Sequence, residues 1–157
     1  MEQKSSLQLQ DFLPYRLSVL SNNVSSLLAS LYTEKFGISV PEWRTVAVLG
    51  EEPGLTSTQI ASRVAMDKVA VTRAVQSLIE KRFVRRSSSQ ADGRVSHLNL
   101  TKSGQRVYDE VVPMALAIEH RVWGTLAPAE KDYWDEMLSK MESRVSTLRK
   151  ELLEFNK

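Results

Sequence analysis

The chain has 157 residues, of which 42% are hydrophobic and 25% charged, one domain's worth of sequence with enough apolar content for a real core. Six glycines, five prolines and 7% aromatics exclude a disordered or fibrous composition, and the absence of cysteine excludes disulfides and thiolate metal sites. No apolar run approaches the ~18 residues that a membrane span requires.

The net charge of +2 hides a division. Residues 63–94 hold eight basic residues against three acidic ones, a net +5, which leaves −3 for the rest. A basic middle between acidic ends is the charge footprint of a nucleic-acid contact, although a solvated face gives the same count. The polar start (Met1, Glu2, Gln3, Lys4, Ser5, Ser6) lacks the apolar block of a secretory signal, so a cytoplasmic protein without a membrane partner is expected.

From about residue 11 to 36, Leu13, Leu17, Leu20, Val24, Leu27 and Leu31 recur every three or four residues, forming one helical stripe. Asp11 is the expected N-cap, Pro14 falls in the first turn, and Gly37 ends the helix. At ~37 Å the helix is longer than one small core covers. A second helix is expected from Pro41 to Glu51, followed by a turn at Glu52, Pro53 and Gly54.

Thr56 and Gln59 fit a capping box that starts a short helix through about Val64, and Asp67 caps another from about Lys68 to Lys81. Two short helices joined by a tight turn, the second in the basic region, make a helix-turn-helix. At 100° per residue, Val71, Ala74, Val75 and Leu78 share the inner side of the second helix. Its outer side presents Val69, Thr72, Arg73, Gln76 and Glu80. Short hydroxyl, amide and guanidinium groups near a helix N-terminus are what base edges and phosphates use.

Two strands follow, at about 83–88 and 95–100, flanking a polar loop with Asp92-Gly93 at its tip and Arg94 exposed beside it. A helix-turn-helix followed by such a hairpin is a winged helix. Thr101 is expected to cap a helix to about Leu126, kinked near Pro113, and Pro128 opens a final helix carrying Trp134, Met141, Val145, Leu148 and Leu152. The expected fold class is mainly α with a small β-hairpin wing, six helices in all. The winged helix-turn-helix spans residues 38–101, and residues 1–37 and 102–157 form a helical dimerisation region. The terminal helices are too long and too apolar for the winged domain alone, and a second copy of the chain is the simplest partner for them.

The stretch Val71-Thr72-Arg73-Ala74-Val75-Gln76-Ser77-Leu78-Ile79-Glu80-Lys81 resembles the recognition helix of MarR-type transcriptional regulators. Asp92-Gly93-Arg94 with Leu100-Thr101 and Gly104 is similar to that family's wing signature. The resemblance covers nearly all of the chain. It implies a homodimer on double-stranded DNA, probing a pseudo-palindromic operator with half-sites about one helical turn apart. Lys68, Val69, Thr72, Arg73 and Gln76 would face the major groove, and Arg85 or Arg86 the backbone. Arg94 would enter the minor groove, whose negative potential favours arginine where the groove is narrow, with Asp92 either holding its guanidinium or capping the turn.

One departure stands out: the family usually has glycine then leucine after the recognition helix, and here the residues are Arg82-Phe83. A left-handed Arg82 would cost about 1–2 kcal/mol relative to glycine. The resemblance also implies a repressor released by a small aromatic or phenolic acid effector, with Tyr15, Arg16, Trp43, Arg44 and His120 as candidate lining; Trp43 also reads as core. No cofactor or metal site is expected. The two histidines, His97 and His120, are far apart, and no catalytic arrangement or phosphate-binding glycine loop is present, which argues against an enzyme. The rival reading is a winged-helix protein-interaction module without specific DNA binding.

Overall fold

The computed structural model describes residues 7–88 and 96–155. Its elements run α1 (Leu13–Phe36), α2 (Val40–Glu51), α3 (Ser57–Arg63), α4 (Lys68–Glu80), β1 (Val84–Ser88), β2 (Ser96–Leu100), α5 (Lys102–Trp123) and α6 (Pro128–Phe155). The chain divides into two compact units, residues 1–115 and 116–157.

Most helix ends follow from local chemistry. Gly37 adopts a left-handed conformation (φ 63°) and donates its amide to Thr33, closing α1. Thr56 and Gln59 form the expected capping box on α3, and Asp67 accepts the Ala70 amide at 2.8 Å to start α4. Asp11, however, does not cap α1. Phe12 occupies the N-cap with no side-chain bond, because the helix starts one residue later, at Leu13, with Pro14 in its first turn. Helix α5 stops at Trp123, short of Leu126.

In the first unit the core joins Trp43, Val46 and Leu49 of α2, Ile60 and Ala61 of α3 and Val71, Val75 and Leu78 of α4. Tyr32 at the end of α1 and Val107 and Val111 in α5 enter the same cluster, so it extends past residues 38–101 on both sides. The strands pair antiparallel with Val84 opposite Leu100 and Ser88 opposite Ser96. Leu55 adds an isolated rung beside the pair: the Leu98 amide donates to its carbonyl at 2.8 Å, which anchors the base of the hairpin to the α2–α3 connection.

In the second unit α6 buries none of its residues, and Val145, Leu152, Leu153 and Phe155 are all more than half exposed. Helix α1 likewise buries only Tyr32 while exposing Leu13, Leu20, Leu27 and Leu31. Large apolar faces left open on a helix mark a surface for association.

Candidate nucleic-acid interface

Helix α4 owes its orientation to its amphipathic pattern. Val71, Ala74, Val75 and Leu78 are buried, as their spacing predicts, and this turns Lys68, Val69, Thr72, Arg73 and Gln76 outward. The Thr72 hydroxyl donates back to the Lys68 carbonyl at 2.7 Å, and Gln76 donates to Glu80 at 3.0 Å, so both polar groups are held against the helix surface. Val69 stands 59% exposed, a methyl-bearing group on an otherwise polar face.

Not every cation of the basic stretch belongs to this surface. Arg63 pairs with Glu52 at 2.5 Å, and Lys81 pairs with Glu42 at 2.6 Å. Lys68, Arg73, Arg82, Arg85 and Arg86 make no ion pair among the described residues, and they carry the free positive charge of the module. Arg85 and Arg86 are adjacent on β1, opposite Asn99 and Leu98 respectively. Successive strand residues point to opposite faces, so the two are not equivalent toward one phosphate backbone. Asp92 and Arg94 lie outside the described residues.

The turn into the wing shows why its residues are what they are. Arg82 takes φ 64°, in the left-handed region, and the helix ends there with two bonds: Arg82 amide to Ile79 carbonyl at 2.9 Å and Phe83 amide to Leu78 carbonyl at 2.8 Å. This is the Schellman arrangement, built here on arginine where glycine is usual. Thr101 donates its hydroxyl to the Arg82 carbonyl at 2.7 Å and accepts the Gly104 amide at 3.1 Å, so one side chain caps α5 and ties it to the end of α4. Gly104 must be glycine, because a Cβ there would lie 2.0 Å from the Phe83 carbonyl oxygen. On β2, His97 donates from Nδ1 to the Gly54 carbonyl at 2.7 Å and holds the hairpin base.

Of the candidate effector residues, Tyr15, Arg16, Trp43 and Arg44 belong to the first unit and His120 to the second. Trp43 is 7% exposed, its ring 5.6 Å from that of Tyr32, and belongs to the core as its amphipathic position suggested. Arg44 is half-buried and donates to the Ser25 hydroxyl at 3.3 Å. Burial pushes the Tyr32 phenol up to about 12, with the Arg44 charge opposing it. Tyr15 and Arg16 are exposed near the other end of α1, about 15 Å along the helix from Ser25. His120 belongs to the second unit, where it lines a cavity of about 420 Å³ with Trp123, Lys131 and Asp135.

The main residue that sequence reasoning missed is Glu42, the one buried acidic side chain among the described residues. Burial alone pushes its carboxyl up. The Lys81 ammonium, the Ser77 hydroxyl and the Ser39 amide and hydroxyl outweigh that and hold it below its ordinary 4.5. The Ser39-x-x-Glu42 spacing of a capping box was the available signal, and the Ser39 amide does donate to Glu42 at 2.6 Å.

Residues 36–95, the helix-turn-helix and the start of the wing, match the sequence model of the MarR family. The transcriptional repressor Rv2887 of Mycobacterium tuberculosis is 27% identical over 133 residues, 84% of this chain and 92% of that one. Over residues 36–95 the chain resembles the MarR family. A MarR/EmrR family transcriptional regulator from Acinetobacter sp. ADP1 superposes with a TM-score of 0.82 at 28% identity, over 90% of this chain and 99% of that one. FabT of Streptococcus pneumoniae, solved in complex with DNA, shares the fold with a TM-score of 0.72 at 24% identity, over 90% of this chain and 99% of its own. The chain therefore has the winged-helix fold of these proteins, and the relatives it matches are transcriptional regulators and repressors. Among the described residues no helix is long and apolar enough to cross a membrane.

Proposed function

We propose that this regulator is a ligand-responsive repressor that binds a pseudo-palindromic operator as a homodimer. The observation that carries the reading is the outer face of α4: Lys68, Val69, Thr72, Arg73 and Gln76 are all exposed on a helix whose opposite face is locked into the core. A helix so fixed presents donors, a cation and a methyl group at the same time, which is the chemistry of major-groove reading. Arg85 or Arg86 meets the phosphate backbone, and Arg94 with Asp92 enters the minor groove from the wing. FabT, with the same fold, is a DNA-bound protein, which favours the same use here.

Dimerisation through residues 1–37 and 102–157 is supported by the exposed apolar stripes of α1 and α6, which association would remove from water. For the effector, Arg44 is the candidate for an anionic aromatic acid, since it is half-buried near the α1–α2 packing and pairs with no carboxylate among the described residues. The testing experiment is a duplex titration with Arg73→Ala and Arg94→Ala. Loss of sequence discrimination in the first and of minor-groove affinity in the second is expected. Unchanged binding by both would favour the protein-interaction module instead. If Arg44→Ala responds to every effector as the wild type does, the effector assignment is wrong.

A further inference from the structure

Three helix ends meet at one ammonium group. Lys81, the C-cap of α4, donates from Nζ to Glu42 Oε1 at 2.6 Å and to the carbonyl of Gly37, the C-cap of α1, also at 2.6 Å. Glu42 sits in the first turn of α2, 4% exposed, and its other oxygen accepts the Ser39 amide at 2.6 Å. The partners suit a cation: a buried carboxylate on one side, and on the other the C-terminal end of α1, where the helix dipole is negative. Lys81 thus lies in the basic stretch of the sequence, but its ammonium is engaged by these two acceptors.

The consequence follows from what this contact joins. Helix α4 packs chiefly on α2, α3 and β1, whereas α1 carries the open apolar stripe through which two chains are proposed to associate. The Lys81–Gly37 bond runs directly from the end of the recognition helix to the end of that long helix. Apolar packing around it is non-directional, while an ion pair with a fixed second acceptor sets both distance and angle.

We propose that Lys81 is a positioning residue for operator recognition: clamped by Glu42 onto the end of α1, it fixes the separation of the two recognition helices in the dimer and so the half-site spacing that the regulator accepts. This rests on the proposed reading of the protein as a DNA-binding dimer. Inserting one base pair between half-sites moves them by about 3.4 Å and rotates them by about 35°, so a rigid dimer rejects the change and a loosened one tolerates it.

The test selects an operator from random duplexes with the wild-type protein, then measures its affinity with one base pair inserted or removed at the centre, beside a duplex holding a single half-site. The wild type is expected to lose about tenfold or more for either change. Lys81→Met is expected to bind the single half-site within about threefold of wild type, to shrink the spacing penalty to about threefold, and to leave the salt dependence unaltered. Lys81→Arg is expected to restore the penalty.

A Lys81→Met protein that keeps the full spacing penalty overturns the inference. So does one that weakens at every spacing with a salt slope reduced by about one, the mark of a lost phosphate contact. Should Lys81→Met fail to fold by circular dichroism, the near-isosteric Glu42→Gln carries the same test: loss of spacing discrimination supports the clamp and its retention overturns it. A wild type that enriches no duplex overturns the DNA-binding reading itself, and this inference with it, an outcome distinct from a selected operator whose spacing Lys81 does not control.

Discussion

The amide of Phe83 donates to the carbonyl of Leu78 at 2.8 Å, and this bond bends the chain out of α4 and into the β-hairpin. It requires Arg82 between them to take a left-handed backbone, φ 64°, where an L side chain crowds its own carbonyl. The strain expected from the sequence at this position is thus present. Arg82 is exposed and its side chain makes no ion pair among the described residues to offset it. Arg82→Gly is expected to raise stability by about 1 kcal/mol, the left-handed cost less the added freedom of glycine in the unfolded chain. The urea midpoint at constant m-value checks it, and a lowered midpoint would contradict it.

Gly104 makes the opposite prediction. A Cβ 2.0 Å from the Phe83 carbonyl oxygen meets the Phe83 backbone, and neither α5 nor the α4–β1 turn yields cheaply. Gly104→Ala is expected to cost about 3 kcal/mol, at the upper end of overpacking effects, and to weaken DNA binding because α5 is displaced from the base of the wing. Equal thermal midpoints for variant and wild type would refute the close approach.

How much of this was legible in the sequence depends on how local each cause is. The caps at Asp67 and Thr56, the end of α1 at Gly37 and the buried side of α4 were all legible, because each depends on residues within one or two turns. Asp11 was misassigned for a related reason: an acceptor lay in range, but helix geometry begins only at Leu13. The left-handed Ala65, φ 50°, ends α3 with the Met66 amide bonded to Ala61, and nothing about alanine signals it. The Leu55–Leu98 rung and the Glu42–Lys81 pair join residues about 40 apart, which no periodicity encodes. Of the candidate site, the α4 face was visible because amphipathicity exposes it. The effector residues rest on the family resemblance, since a pocket depends on how helices meet.

Glu42 gives the stability a defined pH dependence. Its carboxyl is held below its ordinary 4.5 in the folded chain, chiefly by Lys81 against the effect of burial. The stabilisation is therefore fully present above the unfolded value and is lost as pH falls through the lower folded value. At neutral pH Glu42→Gln is expected to be less stable than wild type, and the gap is expected to close as the solution is acidified below 4.5. Urea unfolding of both proteins across that range checks it; a gap independent of pH would mean that the ion pair contributes nothing.

Val69 predicts a base preference. An exposed valine on a face of polar groups is suited to the thymine methyl, a feature unique to one base in the major groove. Replacing the contacted thymine of a selected operator by uracil removes only that methyl and is expected to cost the wild type about 1 kcal/mol. Val69→Ala is expected to bind the two duplexes with nearly equal affinity. If the uracil operator distinguishes neither protein, Val69 does not read a methyl group.

The central claim is sequence-specific DNA binding through α4 and the wing. Its most direct test is a titration of the purified protein against its own upstream intergenic duplex and a scrambled duplex, at about 50 mM and 200 mM salt. The native duplex is expected to bind at least about a thousandfold more tightly than the scrambled one, with affinity for both falling steeply at the higher salt. Equal, weak binding to both duplexes, repeated with a pool from random-sequence selection, would contradict it.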